Sequence, residues 1–206
     1  MKTRDKILNA ARERFNDGGI SEVTLRHISD SIGISYGNLC YHFPRKNDLI
    51  LALYHDMQQQ LGEEVQRLQS EILGFDFMVH SLRTMLETYD RYRFVWLDLP
   101  MLIRKFPEIR THARTQYQIR LLICREIYGF LIDEGYMRPE RFPGHYDLLA
   151  QNMLMILNHW VVDAEIYYEG DARVDHYLAL IYRFVSASLT RKGAEAFTKV
   201  YEGAIE

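Results

Sequence analysis

Cysteine is nearly missing: Cys40 and Cys124 are the only two in 206 residues. Two thiols in a chain of this length make no disulfide framework, and no Cys-x-x-Cys pair points to zinc. No apolar run approaches the roughly 20 residues that a membrane span needs. The start, Met1-Lys2-Thr3-Arg4-Asp5-Lys6, is polar and lacks the apolar core of a signal peptide, so a cytoplasmic location is expected. Strand alternation, internal repeats and low-complexity tracts are absent as well. So are a nucleophile elbow, a phosphate loop and a credible metal set, which leaves no sign of catalysis and no expected metal or cofactor. Charge of one sign is also scarce, with a net value of −3. It is unevenly spread: residues 1–50 hold eight basic against six acidic residues, and the remainder is acidic.

What is present reads as helix almost throughout, and the expected fold is all-α. In the first segment Leu8, Ala11 and Phe15 recur at helical spacing behind Thr3 as N-cap, and Asp17-Gly18-Gly19 stops it. Thr24 caps a second helix with Leu25, Ile28 and Ile32 inward. Gly33 makes a turn, Ser35 caps a short third helix with Leu39 and Phe43 inward, and Pro44 ends it. A long helix starts near Asn47 and carries Leu53, Met57, Leu61, Val65, Leu68 and Ile72 on one stripe. Further helices are expected over 76–91, from Pro107 to 135, over 145–169 and over 173–191, with a last one from Ala194. Pro100 and Pro107 bracket a short irregular piece. Arg83, Arg91, Arg93 and Arg104 read as a solvated face.

Two short helices joined at Gly33 have the layout of a DNA-reading helix-turn-helix. Turning the third helix by 100° per residue from the inward Leu39 puts Gly37 and Tyr41 outward, flanked by Asn38 and Cys40, with Tyr36 on the boundary. Asn38 can donate and accept, which suits base edges. Thr24, Tyr41 and His42 can donate to phosphate oxygens, and Lys46 stands where the free N–H groups of the next helix begin. Core packing is the competing role for Tyr36, Tyr41 and Phe43.

The segment from about Thr3 to Leu53 resembles the DNA-binding domain of the TetR family of bacterial repressors. The resemblance is carried by Ile7-Leu8-Asn9-Ala10-Ala11, Phe15 and Gly19. It runs on through Val23-Thr24-Leu25-Arg26-His27-Ile28 and Gly33-Ile34-Ser35. Most specific is Gly37-Asn38-Leu39-Cys40-Tyr41-His42-Phe43-Pro44 with Lys46-Asn47-Asp48-Leu49. Cys40 stands where the family usually has Tyr. The resemblance implies an all-helical homodimer, most often a repressor, whose third helices enter the major groove at the halves of a palindromic operator on double-stranded DNA. It implies a DNA-facing set of Thr24, Ser35, Tyr36, Gly37, Asn38, Tyr41, His42 and Lys46. It also implies two regions: residues 1–46 as a helix-turn-helix DNA-binding domain, and residues 47–206 as a larger helical domain that binds a small-molecule effector and makes the dimer with its last two long helices.

The rest of the chain fits that layout. Leu149, Met153, Ile156 and Trp160 form one stripe of the helix at 145–169, and Met155, His159 and Val162 form another. Ser186, Ala187 and Ser188 are small enough for close helix approach. Aromatic residues crowd the middle, and Trp96, Tyr117, Tyr128, His159 and Trp160 are the candidate lining of an apolar cavity. His159 and Asp163, one turn apart, could orient a ligand. An all-α enzyme on a hydrophobic small molecule and a helical protein-binding adaptor are the competing functions; salt-sensitive, sequence-specific DNA binding separates them from a regulator.

Overall fold

The computed structural model describes residues 2–71 and 74–205; Ile72 falls outside them. Among the described residues the regular elements are all helices. They are α1 (Thr3–Glu22), α2 (Leu25–Ser31), α3 (Tyr36–His42), α4 (Lys46–Glu71), α5 (Gly74–Arg91) and α6 (Arg93–Leu97). They continue with α7 (Leu99–Lys105), α8 (Pro107–Asp133), α9 (His145–Tyr167), α10 (Arg173–Ser186) and α11 (Arg191–Ile205). No described helix is long and apolar enough to cross a membrane.

Helices of seven residues, such as α2 and α3, do not hold in isolation. Local caps and a shared core hold them here. Thr24 and His27 make a reciprocal capping box at the start of α2, with His27 in the place usually taken by Glu or Gln. The helix ends in a Schellman arrangement: Ile34 N–H reaches Ser29 O at 3.1 Å and Gly33 N–H reaches Asp30 O at 3.3 Å. That motif needs a left-handed residue, and Gly33 supplies it at φ 67. Ser35 caps α3 by accepting from Asn38 N–H at 3.1 Å. The expected cap at Thr3 is not made; Lys2 holds the cap position without a side-chain bond, and Thr3 is the first helical residue. The stop at Asp17–Gly19 is a break in the backbone at Gly19 (φ 73, ψ 158), after which the chain returns to helix as far as Glu22. Asp98 makes the return possible by accepting the freed Ile20 N–H at 3.1 Å.

Two cores organise the molecule. The first joins Ile7, Leu8, Ala11, Phe15, Ile28, Leu39 and Phe43 to the first half of α4 through Leu49, Ile50, Leu53 and Met57. It then continues into Tyr92, Phe94, Val95, Leu102, Phe106 and Ile109. The second lies among α5, α8, α9, α10 and α11, and Trp96 packs against both. The three-helix head is therefore tied to the body twice. One tie is α4, about 39 Å long at 1.5 Å per residue. The other is α6 with its flanks: Asn16 accepts from Phe94 N–H at 3.1 Å and donates to Arg91 O at 2.9 Å. Arg83 and Arg93 are not a solvated face. Both are mostly buried, Arg83 on Asp175 at 2.7 Å and Arg93 on Asp17 at 3.4 Å.

The carboxyl-terminal helices depart from the expected boundaries. Helix α10 ends at Ser186, well before Arg191. Beyond it the chain pairs with the loop after α8: Arg138 N–H donates to Ser188 O at 3.0 Å and Thr190 N–H to Tyr136 O at 2.9 Å. Ser186, Ala187 and Ser188 thus close the helix, with Ser186 and Ala187 exposed and Ser188 buried. Helix α11 then starts at Arg191, three residues ahead of Ala194. Gly193 seats it, because a Cβ there would lie 2.0 Å from Tyr136 O, a backbone atom that cannot move aside. Gly193→Ala is expected to cost about 3 kcal/mol, the upper end of ordinary single substitutions, and to lower Tm by roughly 6–12 °C. Thermal denaturation followed by far-UV circular dichroism checks this, and an unchanged Tm would mean that α11 has room to shift.

Candidate DNA-reading surface and interior cavity

The outer side of α3 is polar and open. Leu39 is wholly buried beneath it, whereas Tyr36, Gly37 and Asn38 are exposed and Tyr41 is 84% exposed. A tyrosine left in water to that extent contributes little to the core, and its ring meets that of His42 edge-on at 5.3 Å. His42 and Cys40 are half-buried. The oxygens of Thr24 and Ser35 each accept a cap bond through a lone pair, which leaves each O–H free to donate outward. Lys46 is half-buried at the start of α4, with Nζ 3.4 Å from Ser21 O and 5.9 Å from the centre of the Phe15 ring. Burial, and then Lys105 nearby, hold its pKa below the ordinary lysine value.

Two arginines that the sequence did not single out flank this surface. Arg26, in the first turn of α2, stacks over the Tyr36 ring at 5.7 Å, and Arg4 lies over Phe43 at 5.4 Å. Arg45 is occupied by a two-armed pairing with Asp48, whose carboxylate also takes the Arg45 N–H ahead of α4. The available signal for Arg26 was its place at the start of the helix that crosses the backbone in a helix-turn-helix.

Behind the head a cavity of about 650 Å3 opens between α4, α5 and α8, floored by α9, α10 and α11. Its wall is largely apolar, as small-molecule sites are. Tyr128 lines it. The other four nominated residues are not among its described lining. Trp96 is stacked on Tyr89 at 4.1 Å between the two cores. Tyr117 is half-buried against the second core. Trp160 is 1% exposed and lies 5.3 Å from the Tyr177 ring. His159 is exposed on α9 with Nδ1 on Met155 O at 2.9 Å. The pair of His159 with Asp163 is not made either: His159 turns to Met155 O, and Asp163 accepts from the Tyr177 hydroxyl. Helical spacing identified two stripes on α9 without saying which was inward.

Polar residues that the sequence reading passed over bring chemistry to the wall. His112, Gln116 and Arg120 follow one another at four-residue spacing on α8, continued by Cys124 and Tyr128. The Tyr54 hydroxyl lies 2.9 Å from His112 Nδ1, and the Gln116 amide lies 3.4 Å from Nε2. A neutral ring that donates from Nδ1 and accepts at Nε2 satisfies both contacts. Burial, His55 and Arg120 all push the His112 pKa down, which favours that neutral form. Burial pushes Tyr54 up to about 12 and Cys124 to about 11, so both stay protonated near neutral pH. The Tyr54–His112 contact matters for position, since Tyr54 belongs to the head's core and His112 to the cavity wall.

The outer sides of α8 and α9 carry large apolar groups in water. On α9 they are Leu148, Met155 and Ile166, and on α8 they are Ile119, Leu122, Phe130 and Ile123, the last of which also belongs to the cavity lining. Separations of seven and eleven residues return to nearly the same face of a helix. Leu148, Met155 and Ile166 therefore form one stripe, and Ile119, Ile123 and Phe130 another. Leu180 is their only large exposed apolar counterpart on the described part of α10.

Comparison with known proteins agrees with this fold. Residues 7–53 match the family model described as bacterial regulatory proteins, tetR family, and residues 56–197 match the one described as bacterial transcriptional repressor. The chain is 30% identical over 142 residues to the HTH-type transcriptional repressor AcnR of Corynebacterium efficiens, covering 68% of this chain and 71% of that protein. Over 80 residues it is 37% identical to the HTH-type transcriptional regulator UidR of Escherichia coli K12, covering 39% and 41%. Among solved structures, a TetR-family transcriptional regulator from Marinobacter aquaeolei VT8 superposes with a TM-score of 0.81 at 25% identity, covering 98% of each chain. The ketosteroid transcriptional regulator KstR2 of Mycobacterium tuberculosis shares the fold, with a TM-score of 0.69 at 17% identity, covering 92% and 96%.

Proposed function

The chain belongs to the TetR family of bacterial transcriptional repressors, and on that footing we propose that it pairs with itself, reads a palindromic operator through α3, and lets go when a small molecule fills the cavity behind α4. It is a DNA-binding transcriptional regulator, not an enzyme. The observation that carries the finer reading is the exposed, polar outer face of α3 over a buried Leu39.

In this reading residues 1–46 read DNA, and residues 47–206 sense and pair. Tyr36, Gly37 and Asn38 lie at the base edges. Thr24, Ser35, Tyr41, His42 and Lys46 hold phosphates, and Arg26 joins them. Dimerisation covers the exposed apolar stripes of α8 and α9, since large apolar side chains aligned on one helix face in water mark a surface that a partner covers. A two-fold pair presents α3 twice, and both copies engage only when they stand about 34–36 Å apart, one turn of duplex. A molecule in the cavity bears on the second half of α4, whose first half is built into the head's core. It weakens operator binding by the difference in its affinity for the two spacings.

Fragments of the source genome selected by binding, followed by shift assays at several salt concentrations, test the reading. Asn38→Ala is expected to change the preferred base at one position of each half-site, because a paired base contact contributes about 1–3 kcal/mol of discrimination. Tyr41→Ala is expected to weaken all sequences alike, by about tenfold. If Asn38→Ala leaves the ranking of sites untouched, Asn38 does not read bases.

A further inference from the structure

Resting on the reading that this cavity takes an effector, the geometry points to the chemical class of that effector: an anionic amphiphile, with one carboxylate held at Arg120 and an unbranched apolar chain laid along the cavity. Arg120 is a half-buried cation on the cavity wall, and among the described residues no carboxylate pairs with it. Its own contacts are neutral: Asn158 Oδ1 at 3.3 Å and the face of Tyr89 at 5.8 Å. The half-buried arginines elsewhere in the body are matched differently, Arg83 by Asp175 at 2.7 Å and Arg173 by Asp90 at 2.5 Å. A cation removed from water without a counterion is costly, and a ligand carboxylate would relieve that cost with a charge-assisted, two-armed bond.

The surroundings of Arg120 suit a single negative charge. Gln116 and His112 stand one and two turns back on the same face of α8, and Gln58 lies on the wall from α4. The Ser81 hydroxyl, also on the wall, is buried and has no partner within the protein. The one carboxylate of the described lining, Glu126, is exposed to solvent and falls on a different side of α8 from Arg120. Away from this patch the wall turns apolar: Leu61, Leu82, Met85, Leu157, Ile181 and Val185. From Arg120 to Tyr128 α8 advances about 12 Å, the reach of a medium-length acyl chain with its head at one end. The head lies two turns along the same face of α8 from the Tyr54–His112 contact, so the charged end of the ligand falls toward the side where the cavity meets the core of the DNA-reading head. After burial and His55, the Arg120 charge is one of the influences that lower the His112 pKa, and an arriving anion offsets it.

The test uses the full chain and the neutral apolar dye N-phenyl-1-naphthylamine as reporter of cavity occupancy. Dodecanoate, dodecanol and dodecylammonium compete against it in the wild type and in Arg120→Gln. The dye is expected to bind both proteins. Dodecanoate is expected to displace it from the wild type at a concentration at least about tenfold lower than dodecanol, and Arg120→Gln is expected to erase that advantage. Equal competition by dodecanol, preference for dodecylammonium, or an advantage that survives Arg120→Gln would each overturn the anionic class while dye uptake leaves the cavity reading standing. Failure of the dye to bind, together with no rise in Tm on adding any of the three amphiphiles, would remove the cavity reading and this inference with it.

Discussion

Leu148→Asp combined with Met155→Asp is expected to give a folded monomer that binds operator about a hundred- to ten-thousand-fold more weakly than the parent, the range by which linking two sites raises affinity over one. The two side chains are 52% and 59% exposed, so charging them costs the fold of one subunit little. Across a two-fold seam each aspartate meets its own symmetry mate or apolar neighbours, and every unpaired charge appears twice. Sedimentation velocity reads the association state, and a shift assay on a whole palindrome reads the affinity. The salt slope should fall by about half, because one subunit releases half the counterions. A variant that stays dimeric would move the seam off this stripe of α9, and a monomer that keeps full affinity would remove the requirement for two copies of α3.

The second large effect concerns Phe15. This ring is 1% exposed, lies 5.5 Å from the ring of Phe94 in α6 and has Lys46 Nζ 5.9 Å from its centre. Phe15→Ala is expected to cost about 3–5 kcal/mol, a large share of the 5–15 kcal/mol that holds a typical domain. The measurement is urea denaturation in a Trp160→Phe background, where Trp96 is the sole indole. Because Trp96 packs against both cores, its fluorescence and the helical signal should shift together to a lower midpoint. A head that melted early while Trp96 stayed unmoved would mean that the two cores are energetically separate.

The legible part of the molecule was the part written in local chemistry. Thr24, Gly33 and Ser35 specify α2, the turn and α3 within a dozen residues, and the inward Leu39 fixes which side of α3 faces out. The early end of α10 was not legible, because its cause is a pairing with residues 136–138, some fifty positions away in the chain. The cavity lining is hidden from the sequence for a different reason. Density of aromatic residues drew the choice to Trp96 and Trp160, yet large rings contribute most when fully buried, and both are packed rather than lining. The polar wall of α8 was passed over because His112, Gln116 and Arg120 look like an ordinary solvated face. Their four-residue continuation into Cys124 and Tyr128 was the available clue, since a stripe that changes from polar to apolar along one helix describes a surface with something amphipathic beside it.

The core that runs from Ile7 through Phe15 into Phe94, Leu102 and Ile109 limits what can be transplanted. A chimaera that cuts this chain behind His42 and fuses the reader to a foreign sensor would strip the underside of α1 of its partner rings and leave Asn16 and the Ile20 amide facing nothing. Swaps in this scaffold should carry two separate stretches, the first fifty-odd residues and the span from about 91 to 109, because the unit that recognises DNA is interleaved in the chain rather than sequential.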